Sequence, residues 1–250
     1  MKNFVTLFIC LLFPFLSSGE TLKLAAGITV DPYIVHSKDS GLETDIVRES
    51  FALEGYQVKF IFQSLMRTKV SLRNGTVDGV TTIKNNYSEI QNTFLSEEYI
   101  TYHNFAVTLR SRNIKINTIA DLKDKNIIAF QQARFALGKK FKLMAENNPK
   151  YREMENQRLQ IALFFGKRND VIIVDSKIFN YFRQKLKDSP DKVMGKISFD
   201  EPVTFHGLFK PSKYRMAFRT IEIRDHFNMG LKKLQKSGRY KQIIESYIIK

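Results

Sequence analysis

A chain of 250 residues, 43% hydrophobic and 26% charged, is long enough to bury a core without staples, as one large domain or two small ones. Its only cysteine, Cys10, lies in the apolar N-terminal stretch, so the rest of the chain has no disulfide, no thiol chemistry and no cysteine metal site. The formal charge of +15 is scattered rather than gathered in a run, which reads as a basic, solvated surface and argues against a nucleic-acid partner.

Residues 1–19 have the layout of a secretory signal peptide. Lys2 supplies the positive start, Val5 to Leu16 is apolar, and Ser17-Ser18-Gly19 offers small residues for cleavage near Gly19. The apolar run falls short of the ~20 residues that a membrane span needs. No later stretch is long and apolar enough to span, and the surroundings of Cys10 do not suit a lipid-modified N-terminus.

Thr21 to Ile28 reads as a first strand, followed by a loop with Asp31-Pro32-Tyr33, where Pro32 keeps Asp31 extended. Gly41 to Leu53 reads as a helix with Ile46, Val47, Ser50 and Phe51 on one face and the acids Glu43 and Asp45 in its first turn, where the helix dipole favours them. Gln57 to Phe62 is a second strand; Ser64 caps a helix that stops at Gly75, and Val77 to Ile83 is a third strand. Tyr99 to Leu109 is a long aromatic and β-branched run. Further strands are expected at Asn126 to Gln131, Val171 to Val174, Lys192 to Ser198 and Val203 to Phe209, and helices at Ala133 to Glu146, Glu155 to Phe165 and Ser176 to Leu186. Met216, Thr220, Ile223, Phe227, Leu231 and Leu234 recur at helical spacing, and Tyr240 to Ile248 is a short last helix after Gly238.

The stretch VSLRNGTVDGVTTI (Val70 to Ile83) is a helix–glycine–strand unit, and IALFFGKRNDVIIVD (Ile161 to Asp175) is a looser echo of it. Two α/β units of similar grammar predict two α/β lobes with parallel strands.

The order and spacing of several segments carry a resemblance. They are Leu22-Lys23-Leu24, Asp31-Pro32-Tyr33, GLETDIV (Gly41 to Val47), LRNGTVDGV (Leu72 to Val80), LSEEYITY (Leu95 to Tyr102), TIADLKDKNI (Thr118 to Ile127) and LKKLQKSGRYKQIIESYI (Leu231 to Ile248). Together the chain resembles the bacterial extracellular solute-binding proteins of family 3, the polar-amino-acid type of periplasmic binding protein. The resemblance implies an α/β, two-lobed fold of the type II periplasmic-binding class with two hinge strands. Lobe 1 would be residues 20–105 and 203–250, and lobe 2 residues 106–202, with crossings near Phe105–Val107 and Asp200–Val203. It further implies a monomer without a cofactor, exported to the periplasm, that closes on a small polar ligand and passes it to an inner-membrane ABC permease.

Members that bind amino acids hold the ligand ammonium with an Asp after a lobe 2 strand, a position matched by Asp175. The Arg that holds the ligand carboxylate is not matched: the region reads KNNYSEIQ, with Lys84, Asn85 and Glu89 in its place. The Gly-Thr turn before a lobe 2 helix is replaced by Gln132-Ala133-Arg134. From its residues alone, Asp175 can pair an ammonium or simply start a helix. Tyr33 can stack on a ligand or pack on its lobe. Thr81 and Thr82 offer hydroxyls at a strand end, or serve β-structure only. Arg67 and Arg134 are candidates for a substitute carboxylate clamp or are merely solvated, and Glu89 would turn the preference towards a cation.

The four histidines show no metal-ligand spacing, and no nucleophile elbow or phosphate loop is present. Two alternatives to a transport role remain: a dehydratase-like enzyme using Glu89 or Asp175 as acid or base, and a ligand-sensing protein that binds a partner.

Overall fold

The structure is a computed structural model that describes residues 19–28, 30–84, 92–188 and 197–247. The signal-peptide stretch through residue 18, Asn85, Glu89 and most of the strand expected at Lys192 to Ser198 lie outside the described residues.

The first sheet starts with β1 (Thr21–Ala26), α1 (Leu42–Ala52), β2 (Gln57–Phe62), α2 (Leu65–Arg73) and β3 (Gly79–Ile83). Its β1 lies between β2 and β3 and runs parallel to both. The short β4 (Phe94–Leu95) and β5 (Ile100–Tyr102) follow. The second sheet contains β6 (Asn104–Leu109), β7 (Ile127–Phe130), β8 (Tyr151–Met154), β9 (Val171–Asp175) and β10 (Val203–His206), in the order β10-β6-β9-β7-β8. Its helices are α3 (Ala133–Ala136), α4 (Lys139–Asn147), α5 (Gln157–Phe165) and α6 (Ser176–Asp188). The chain then returns to the first sheet as β11 (Ser212–Phe218), antiparallel to β3, β4 and β5, and ends in α7 (Ile221–Lys236) and α8 (Arg239–Ser246).

The chain therefore crosses between sheets twice: at His103, between β5 and β6, and over residues 207–211, between β10 and β11. The crossing points expected at Phe105–Val107 and Asp200–Val203 fall within or just before strands of the second sheet, where Phe105 pairs with Val174 and Val203 with Leu109.

Several other expectations differ from the structure. The aromatic run from Tyr99 to Leu109 is two strands in two sheets, because the chain changes sheets in its middle. Met216 belongs to β11, not to the helical stripe; the helix starts after Thr220, whose side chain accepts a bond from the Ile223 N–H as a cap. The helix expected over Ala133 to Glu146 is split at Gly138, whose φ of +93° falls where glycine is favoured. The strand β8 follows a break at Asn148-Pro149 and carries exposed or half-buried side chains throughout, so no apolar run announced it.

The helices α1 and α7 cover one face of the first sheet. Phe51 of α1, Phe227 of α7 and Phe218 of β11 form a buried triangle with ring centroids 5.4–5.9 Å apart. At Gly230 of α7 the two helices touch: a Cβ there would lie 1.9 Å from the Ser50 carbonyl oxygen. Backbone cannot rotate aside, so the helices must separate. The variant Gly230→Ala is expected to lose about 1–3 kcal/mol net, despite alanine's intrinsic helix preference of about 1 kcal/mol. Urea unfolding should show a lower midpoint at unchanged slope.

Candidate functional site

The first strand-to-helix loop, the C-terminal end of β3, β5 and the start of α6 meet around a buried carboxylate. Gly41, with φ of +145°, precedes α1, and a Cβ there would lie 2.3 Å from the Tyr33 carbonyl oxygen. The close approach lets the Glu43 N–H donate to that carbonyl and sets Tyr33 over the helix start. Glu43 is completely buried. Its carboxylate accepts hydrogen bonds from Thr82 Oγ1 at 2.6 Å, from Tyr102 OH at 3.1 Å and from Tyr99 OH. Thr82, at the end of β3, has φ of +60°, unusual for a β-branched residue. Its N–H also donates to Tyr99 OH, and its hydroxyl oxygen lies 3.2 Å from Thr81 Oγ1.

Tyr102 links this cluster to the second sheet. Its ring stacks on Tyr33 with centroids 3.8 Å apart and an interplanar angle of 14°. Tyr33, fully buried, donates its hydroxyl to Asp175 Oδ1 at 3.1 Å. Asp175 ends β9 and also accepts from the N–H groups of His103 (2.6 Å), Lys177 (2.8 Å) and Ile178 (3.2 Å). It is thus the cap of α6 and the acceptor for a phenol from the opposite sheet. Two further contacts join the sheets nearby. Tyr181 of α6 hydrogen-bonds Asp31, and Lys84 Nζ donates to the Ala136 carbonyl at 3.0 Å. Lys84 also lies 5.7 Å from the centre of the Tyr214 ring, which packs edge-on against Tyr102.

Among the residues singled out from the sequence, Tyr33, Thr81, Thr82 and Asp175 thus share one network, and Lys84 reaches its edge through Tyr214. Gln132 and Arg134 form a separate cluster. Gln132, with φ of +67°, and Arg134 both donate backbone N–H groups to Glu153, which also accepts from Arg134 Nε and from the Tyr151 hydroxyl. The start of α3 therefore holds an anion supplied by the chain itself. Arg67 is exposed on α2 and takes no part in either cluster. The sequence reading missed Glu43, Tyr99, Tyr102, Tyr214 and Glu153. For Glu43 a signal existed: the buried stripe Ile46, Val47 and Ser50, extended back one turn, lands on position 43.

Burial pushes the Glu43 carboxyl above its ordinary value, and the hydroxyl donors pull it only part of the way back. Burial likewise raises Asp175, against the His103 and Ile178 N–H groups and the Lys177 ammonium. Burial also raises Tyr33, with the negative Asp175 adding to the effect, and raises Tyr214 to about 12. Lys84 is lowered by burial. Among the described residues there is no cluster of His, Cys, Asp and Glu that could hold a metal ion, and no helix long and apolar enough to cross a membrane.

The raised Glu43 makes stability pH-dependent with a definite sign. The folded chain keeps the proton above the ordinary glutamate value of 4.5, where the unfolded chain releases it. This contribution is complete below that pH and is lost as pH rises towards the folded-state value. Urea denaturation across this range should show wild-type stability falling relative to Glu43→Gln, which carries no proton to release; parallel curves would contradict it.

The description "Bacterial extracellular solute-binding proteins, family 3" matches residues 22–250. No curated protein matches the chain. Among solved structures, the chain is similar to the GluR0 ligand-binding core in complex with L-glutamate (14% identity, 93% of this chain and 100% of that one, TM-score 0.71). It is similar to a histidine kinase sensor domain that itself resembles periplasmic binding proteins (15% identity, 92% and 97%, TM-score 0.68). It is also similar to the ancestral amino-acid-binding protein AncCDT-1, a precursor of cyclohexadienyl dehydratase (18% identity, 92% and 95%, TM-score 0.66). The α/β architecture of two sheets is therefore that of periplasmic binding proteins, and the chain belongs to family 3 of the bacterial extracellular solute-binding proteins.

Proposed function

We propose that the chain is an exported, periplasmic solute-binding protein that closes its two lobes on a small polar ligand, amino-acid-like or a related amine or organic acid. In this reading it works as a monomer and delivers the ligand to an inner-membrane ABC permease. The lobes are the two sheets with their helices, divided at His103 and at residues 207–211, which act as the hinges. Family membership supports this reading. The observation that carries it is the bond from Tyr33 to Asp175, made between the sheets beside the first crossing. A ligand ammonium or hydroxyl entering there would take the bond that Tyr33 makes, and closure would follow from contacts available only when the sheets approach.

The dehydratase-like reading has one observation in its favour, the raised Asp175 carboxyl, which suits an acid. Against it, Asp175 is 1% exposed and its two oxygens already accept four bonds from the protein. Binding is the better use of such a group.

A thermal-shift panel of amino acids, amines and organic acids tests the proposal. A ligand at 100 times its Kd should stabilise the fold by about 2.7 kcal/mol, and the shift should grow with concentration. For an amino compound, Asp175→Asn should reduce the shift. Its one oxygen still caps α6, and the His103 N–H left facing the amide should cost about 1–3 kcal/mol, read from the ligand-free midpoint. A panel that leaves the midpoint unmoved would remove the support for solute binding.

A further inference from the structure

A cleft of about 530 Å³ opens beside the second crossing, within the usual range for small-molecule sites of about 300–1,000 Å³. Five lysines line it. Lys84 comes from the first sheet, Lys139 and Lys140 from the start of α4, and Lys210 and Lys213 from the second crossing and the start of β11. No carboxylate is among its described lining residues, and Phe209 contributes an apolar wall. Lys213 is held at the rim by Glu98 at 2.8 Å. Lys84 is half-buried and fixed by its bond to the Ala136 carbonyl. Lys139, Lys140 and Lys210 are exposed to solvent.

Like charges gathered around a concave surface repel one another, and low-dielectric walls concentrate the field that they make. A multiply charged anion relieves that repulsion, whereas a zwitterion or a cation does not. The lysines come from the end of β3 in the first sheet, from α4 beside the second sheet and from the segment that joins the two, so one ligand with spaced negative groups would bridge all three. The start of α4 adds to the same field: its cap position is Gly138, which has no side chain to satisfy the first N–H groups. The cleft's limited size suits a small molecule rather than a nucleic-acid strand, which needs an extended basic track.

We propose that this lysine-lined cleft binds a small organic polyanion of the di- or tricarboxylate class, bridging the two sheets. The proposal rests on the solute-binding reading and names the ligand class for it. It also accounts for the missing carboxylate-binding Arg: charge recognition has moved from one guanidinium to several ammonium groups on both sides of the gap.

Calorimetric titration at low ionic strength with succinate and with citrate tests it, against arginine and glutamine as cationic and neutral-chain probes. Citrate or succinate should bind, and added salt should weaken the binding. The triple variant Lys139→Gln/Lys140→Gln/Lys210→Gln, all at exposed positions, should weaken it about tenfold or more, since charge-assisted contacts are the strong ones. The charge-matched control Lys59→Gln/Lys232→Gln/Lys236→Gln, at exposed positions on β2 and α7 that do not line the cleft, should bind as wild type does. Equal affinity in both triple variants would overturn the proposal, because net charge and not the cleft would then attract the anion. Binding of arginine or glutamine without binding of either carboxylate would overturn it while leaving solute binding intact. Failure of all four probes to bind would also overturn it, and the broader thermal-shift panel then decides the solute-binding reading separately.

Discussion

A buried carboxylate with three hydroxyl donors and no cation among the described residues bonded to it constrains everything around the candidate site. Glu43 sits in the first turn of α1, where the helix dipole favours a negative group, yet it faces the core and not water. Leaving such a group without partners in the interior would cost several kcal/mol, so it has to be hydrogen-bonded or hold its proton. Tyr99, Tyr102 and Thr82 meet that demand. Their positions follow from it: Thr82 takes a left-handed backbone conformation at the end of β3, and Tyr102 is turned so that its ring lies flat against Tyr33. Stacking on Tyr102 fixes Tyr33, and Tyr33 reaches Asp175. One internal acid on the first sheet thus aims a phenol at the second.

The same logic recurs on the second sheet. At the start of α3, where family members present a Gly-Thr turn, this chain has Gln132-Ala133-Arg134, and the local anion is its own Glu153. At the end of β9, Asp175 is saturated by backbone N–H groups and a phenol. Positions that could grip a ligand are therefore occupied by the protein's own groups. A ligand entering at Asp175 has to displace an intramolecular partner, so its gain is the difference between two sets of contacts rather than the whole of the new one. The lysine cleft is different. Among its described lining residues there is no carboxylate, and although Lys213 is paired with Glu98 and Lys84 with the Ala136 carbonyl, an anion at the exposed Lys139, Lys140 and Lys210 displaces mainly water.

Much of the fold was legible because it rests on local grammar. Val77 to Ile83 and Val171 to Val174 announce themselves as buried strands after a helix-ending glycine. The caps were less legible, since Thr220 and Asn156, expected within helices, cap them, while Ser64 stands before α2 without a side-chain cap bond. What was not legible depends on partners far away in sequence. The segment Tyr99 to Leu109 has one continuous β-pattern, and only pairing with β11 on one side of His103 and with β9 on the other divides it. Met216 fits a helical stripe by spacing, but β3 and β4 draw its neighbours into a strand. Asp175 was readable as a strand-end acid; that its partner would be Tyr33, 142 residues earlier, was not. Glu153 escaped notice because a lone Glu among half-buried residues looks like an ordinary surface charge.

The first crossing is tied directly to the candidate site. His103, the residue between β5 and β6, donates its N–H to Asp175 Oδ2, and the Ser176 N–H donates to the His103 carbonyl. Both polar groups of the crossing backbone are thus fixed to the start of α6. An apolar cluster runs through the same place, from Tyr99 and Tyr102 to Val107, Val174 and Ile178, so the crossing is packed as well as bonded. Rotation of one sheet against the other about this point must strain the Asp175 bonds or leave them whole and turn His103, Asp175 and α6 as one body. The second course is the cheaper, because breaking a bond to a buried carboxylate costs more than a small backbone rotation at the crossing. Asp175 would then move with the second sheet and its hinge residue, and Tyr33 with the first. In the proposed motion the Tyr33–Asp175 bond must open when the sheets part, together with the Tyr181–Asp31 and Lys84–Ala136 contacts, and as the buried member of the three it is a point at which a ligand could bias the motion.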